Sequence, residues 1–187
     1  MKFNGGYCFV IAILIACNDP QKNFQSISQD TVGATPGYTV SGQPISHINT
    51  GQTTPAELLT YALSLTGTPY LYGSTDPKKG FDCSGFITYV FNHFGIIVPR
   101  RSVDFKDVDH EIKLTQAKTG DLILFTGTDS LDRTVGHMGI IIASPGLPLQ
   151  FIHSTSGKAH GVTTTPLNTY YMGRYMKTIR IFAQNDK

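Results

Sequence analysis

The chain has 187 residues, with 15 Lys and Arg against 13 Asp and Glu, a formal charge of +2. Charged residues make up only 15% of it and no basic run is present, which argues against a nucleic-acid partner. An apolar share of 40% excludes global disorder, and three cysteines, an odd number, exclude a closed disulfide set.

The chain opens with Lys2 and then an apolar run from Tyr7 to Ala16. Ten residues are too few to cross a bilayer core, which needs about 20 in a helix, but they suit the apolar region of a signal peptide. Leu14-Ile15-Ala16-Cys17 is similar to a bacterial lipobox. Residues 1–16 are therefore expected to be a lipoprotein signal peptide. Cys17 is expected to carry lipid and to anchor the chain at a membrane. Residues 17–54 are rich in Gln, Ser, Thr, Asn, Gly and Pro without a sustained apolar period, and read as a flexible tether.

The ordered domain is expected over 55–187. Thr54-Pro55-Ala56-Glu57 is a capping box with proline at the first helical position. Leu58, Ala62 and Leu65 then share one helical face, and Gly67 stops the helix. Thr68 to Gly80 reads as loop. A second helix begins near Cys83, with Phe86, Ile87, Val90, Phe91 and Phe94 as a broad buried stripe. Strands follow at 121–126, 137–143, 150–154, 161–165 and 177–182. Helices first and an antiparallel sheet of about five strands afterwards make an α+β fold.

Asp82-Cys83-Ser84-Gly85 places a thiol at the start of the second helix, with Asp82 in the capping position. Helix-end amides favour an anion there and can lower a thiol pKa. A nucleophilic cysteine also needs a base. A hairpin turning about Pro145 would place His137 and His153 directly opposite each other on one sheet face. Opposed side chains lie close enough for one imidazole to orient the other. A one-residue slip would send them to opposite faces. His160, in a turn near His153, is a substitute candidate; His47, His93 and His110 belong to no motif. Spacings of the C-x-x-C, H-x-x-x-H or H-E-x-x-H kind are absent, so neither a metal nor another cofactor is expected.

These motifs resemble the NlpC/P60 family of papain-like cysteine peptidases. Gly67-Thr68-Pro69-Tyr70-Leu71-Tyr72-Gly73, Phe81-Asp82-Cys83-Ser84-Gly85-Phe86, Pro99-Arg100, Gly120-Asp121-Leu122, Gly136-His137-Met138-Gly139-Ile140 and Phe151-Ile152-His153-Ser154 follow the family's order. With the lipobox and tether, the chain most resembles the Spr-type lipoprotein murein endopeptidases of that family. The resemblance implies a papain-like NlpC/P60 fold and cleavage of peptidoglycan stem peptides or cross-links. It implies Cys83 as nucleophile, His137 as base and His153 as orienting residue, with Tyr70, Asp82 and Ser84 binding substrate. A lipid-anchored monomer in the cell envelope, facing the periplasm, is expected. Tyr72, Ser74 and Ile141 depart from the usual pattern and bear on cleft shape. Two alternatives stay open: a non-catalytic peptidoglycan-binding lipoprotein, and a Cys–His acyltransferase or amidase.

Overall fold

The computed structural model describes residues 1–2 and 44–187. Nearly all of the expected signal peptide, Cys17 and the tether as far as residue 43 lie outside the described residues. Residues 44–54, read above as the end of the tether, are packed on the domain. Ile45 and Ile48 are buried in the main core. The Ile48 amide donates to the Asp109 carboxylate at 3.1 Å, and the Asp109 amide donates to the Ser46 carbonyl at 2.8 Å. The polar composition hid these two isoleucines, which are too few to establish a period.

Helix α1 spans Pro55–Ser64. The capping box forms as expected: Glu57 N–H donates to the Thr54 hydroxyl at 3.3 Å, and Thr54 N–H to the Glu57 carboxylate at 2.9 Å. Leu58 and Ala62 face the core. A small hairpin, β1 (Thr75–Asp76) with β2 (Gly80–Phe81), precedes helix α2, Cys83–His93. Strands β3 (His110–Ile112), β4 (Leu122–Thr126), β5 (Val135–Ile142), β6 (Gln150–Thr155) and β7 (Gly161–Pro166) follow. Helix α3 (Thr169–Arg174) and strand β8 (Tyr175–Arg180) complete the domain.

The large sheet is antiparallel, in the order β3-β8-β4-β5-β6-β7. It has six strands, not the five or so expected. The extra strand, β3, is a three-residue edge piece with no buried residue, so it carries no apolar alternation. Helix α3 was also illegible. It is six residues long, too short for a helical period, and Asn168 caps it by accepting from the Tyr171 amide at 3.2 Å.

Both faces of the sheet are covered. Leu122, Leu124, Met138, Ile140 and Ile152 pack with Phe86, Ile87, Val90 and Phe91 of α2. Ile123, Phe125, Ile141, Phe151 and Tyr171 form a second cluster, on the opposite side because strand side chains alternate. At the end of the sheet Asp121, wholly buried, accepts from Arg180 Nε at 3.2 Å and Nη2 at 3.0 Å. Removing one member of such a pair strands a buried charge. Asp121→Ala is expected to lower the unfolding free energy by about 3–5 kcal/mol in urea titration; an unchanged midpoint would show that the pair contributes nothing.

Candidate active site

Asp82 sets the position of Cys83. Its Oδ1 accepts from the Gly85 amide at 2.5 Å, capping α2. Arg100 grips the same carboxylate through Nη1 at 3.1 Å and Nη2 at 2.8 Å, and Nη1 also donates to the Ser84 hydroxyl at 3.0 Å. The helix start is thus tied to the chain 18 residues later. Gly85 permits a close approach: a Cβ there would stand 2.0 Å from the Ser74 carbonyl oxygen. Cys83 is half-buried, and its Sγ lies 3.9 Å from the Gly136 carbonyl oxygen, one residue before His137.

His137 and His153 meet. His137 Nε2 and His153 Nδ1 are 2.8 Å apart, and His153 Nε2 lies 2.8 Å from Thr165 Oγ1. The register differs from the expected one. Ile140 pairs with Ile152 and Ile141 with Phe151, which puts Gly139, not His137, across from His153. The histidines are therefore diagonal neighbours. A two-residue offset preserves the face, and diagonal positions remain within reach of long side chains. Gly139 leaves the room required: a Cβ there would come within 2.7 Å of the Phe151 ring and 2.8 Å of the Ile152 carbonyl oxygen. His160 instead stands in a turn at φ +45°, its carbonyl accepting from the Tyr70 amide.

The contacts order the protons. With His137 Nε2 engaged by His153, Nδ1 is the nitrogen left for the thiol. For Nδ1 to accept a proton, Nε2–H must donate to His153 Nδ1. His153 Nε2–H then donates to Thr165. Thr165 was not anticipated, because its place depends on the pairing of Thr165 with Phe151.

The site is electrically quiet at rest. His137 and His153 are buried, with Phe151 4.6 Å and Tyr171 5.5 Å from the His153 ring. Burial, then the His153 and Arg174 charges, hold His137 well below the usual imidazole range. Burial and then Arg174 hold His153 at about 3. Cys83 corrects the expectation of a lowered thiol pKa. Burial and the Asp82 carboxylate push it up to about 11, outweighing the backbone amides of Ser84, Cys83 and Met138.

Cys83 and His137 line one cleft of about 990 Å³, with Tyr70, Thr165, Tyr171 and Arg174 also on its walls. Asp82 and Ser84 are buried and turned to Arg100. No cluster of three or more His, Cys, Asp or Glu side chains suited to a metal occurs among the described residues.

The sequence profile of the NlpC/P60 family matches residues 67–181. The chain belongs to the NlpC/P60 family. Gamma-DL-glutamyl hydrolase of Bacillus subtilis is 34% identical over 131 residues, covering 70% of this chain and 31% of that one. Murein DD-endopeptidase MepS/Murein LD-carboxypeptidase of Escherichia coli is 26% identical over 180 residues, covering 94% and 90%. The chain thus spans under a third of the first relative and nearly all of the second. An NlpC/P60 protein crystal structure from Bacillus cereus superposes with a TM-score of 0.61 at 28% identity, over 71% of this chain and 42% of that one.

Two measurements check the electrostatics of this NlpC/P60 site. Iodoacetamide labelling of Cys83 in the free protein should accelerate about tenfold per pH unit from pH 7 to 9; a plateau below pH 7 would reveal a preformed thiolate. For His153, the unfolded chain binds a proton near pH 6.5 and the folded one only near 3. The contribution of His153 to stability should therefore rise with pH between those values and level off above them. A His153 ring that titrates at 6 to 7 by nitrogen-15 NMR would contradict this.

Proposed function

We propose that the chain is a thiol peptidoglycan endopeptidase working through Cys83, His137 and His153. The observation that carries this reading is the ordered contact from Thr165 through His153 to His137, a residue that lines the same cleft as Cys83. Cys83 Sγ attacks the scissile carbonyl while its proton passes to His137 Nδ1. With both groups neutral beforehand, proton transfer accompanies attack. The Cys83 backbone amide, at the start of α2, faces the developing oxyanion. His137 then protonates the leaving amine, and water, deprotonated by His137, releases the acyl group. His153 keeps His137 in the tautomer that leaves Nδ1 unprotonated, as the third member of a triad does.

Tyr70 is the substrate-contacting member of the polar group beside the thiol; Asp82 and Ser84, held by Arg100, lie beneath it. The chain acts on wall peptides in the cell envelope. Lipid on Cys17 holds it at a membrane there, with residues beyond Cys17 as spacer.

Cys83→Ala is expected to abolish release of muropeptides from purified sacculi, and His137→Ala to reduce it by about a thousandfold or more. Unchanged release by Cys83→Ala would sink the thiol mechanism. Sacculus binding without turnover would favour a binding lipoprotein, and acyl transfer to lipid an acyltransferase. Cys17→Ser should move the protein from the membrane fraction to the soluble one; continued membrane retention would refute the anchor.

A further inference from the structure

Three arginines are set into the domain, and they are matched differently. Arg100 holds Asp82. Arg180 holds Asp121 at 3.0 Å and reaches Asp186 at 3.6 Å. Arg174, only 7% exposed, makes no ion pair among the described residues. Its Nη1 donates to the Tyr170 hydroxyl at 2.8 Å and its Nη2 to the Thr126 carbonyl at 2.9 Å. Its guanidinium lies 5.0 Å from the Tyr170 ring centre and 5.6 Å from that of Tyr171. Its Nε is buried with no hydrogen-bond partner, the one side-chain polar atom so placed among the described residues.

A guanidinium stays charged at any physiological pH and offers five N–H donors. A buried charge without a counter-charge is unfavourable, and native folds satisfy buried donors. Carboxylates of the domain meet this need for Arg100 and Arg180. Arg174 lies instead on the wall of the cleft that holds Cys83 and His137. Lys158 is the other cation on that wall, and no aspartate or glutamate lines it.

We propose that Arg174 is a substrate-binding residue that receives a free carboxylate of the peptide held in the cleft. This rests on the peptidase reading of the cleft; stem peptides carry free carboxylates beside their amide bonds, for example at D-glutamate. A carboxylate matches the planar donor fork of an arginine. Tyr170, 58% exposed, is the side chain whose movement opens the guanidinium to the ligand. Occupancy also acts on the base. The Arg174 charge disfavours protonation of His137 and His153. A bound carboxylate offsets that charge and makes His137 a readier proton acceptor.

The test uses defined stem peptides and versions in which each free carboxylate in turn is replaced by a primary carboxamide. Binding is measured by calorimetry on the full-length Cys83→Ala protein, and turnover on the wild type. At one position the acid is expected to bind at least about tenfold more tightly than the amide. In the Cys83→Ala background, Arg174→Gln should remove this preference by weakening the acid, leaving the amide within about twofold. Arg174→Lys should retain part of it. Equal binding of acid and amide at every position overturns the proposal, as does an equal loss of both on Arg174→Gln. The comparison on protein that retains Arg174 stands even if Arg174→Gln fails to fold. Turnover without an acid preference removes the carboxylate site alone. An acid preference with no wild-type turnover removes the peptidase reading and leaves the site.

Discussion

The register of β5 against β6 is the constraint on which the site depends. With Ile140 opposite Ile152, His137 and His153 share a face and their ring nitrogens come to 2.8 Å. A one-residue slip would turn one imidazole into the α2 side of the core. Gly139 guards that register from within, since the Phe151 ring and the Ile152 carbonyl occupy the space where a Cβ would sit. The burial of Ile140 and Ile152 on one face and of Ile141 and Phe151 on the other makes the slip unfavourable on both sides of the sheet.

The same burial that fixes the histidines also keeps them neutral. Phe125, Phe151 and Tyr171 surround the pair, and desolvation is the leading cause of both lowered pKa values. At Cys83 desolvation and Asp82 oppose the helix-end amides and prevail. The helix terminus therefore positions the sulfur without ionising it in the free protein. Asp82 stands on both sides of this balance. It caps α2 and anchors Arg100, while its own charge disfavours the thiolate.

Charge pairing divides the domain into closed and open parts. Asp121 with Arg180 closes the end of the sheet, and Asp82 with Arg100 closes the start of α2. On the cleft wall Arg174 has aromatic faces, a carbonyl and a hydroxyl around it, but no carboxylate among the described residues. Arg100 and Arg180 are thus neutralised within the fold, whereas Arg174 lines the cleft that holds Cys83 and His137.

Much of the domain was determined locally and so was legible in the sequence. The Thr54–Glu57 capping box, the apolar stripe of α2, the capping aspartate before Cys83 and the five longer strands each depend on neighbours a few residues away. The short elements β3 and α3 carry no period, and Ile45 and Ile48 are buried only because distant parts of the chain cover them. Sequence alone could place Cys83, His137 and His153 in their order and put both histidines on one hairpin. Tertiary structure decided that the histidines meet diagonally, that Thr165 completes their contact, that the thiol rests neutral, and that Arg174 lacks an acidic partner among the described residues. The physical reason is range: capping and periodicity act within a turn or two of chain. Register, desolvation and charge pairing depend on segments that only the folded sheet brings together.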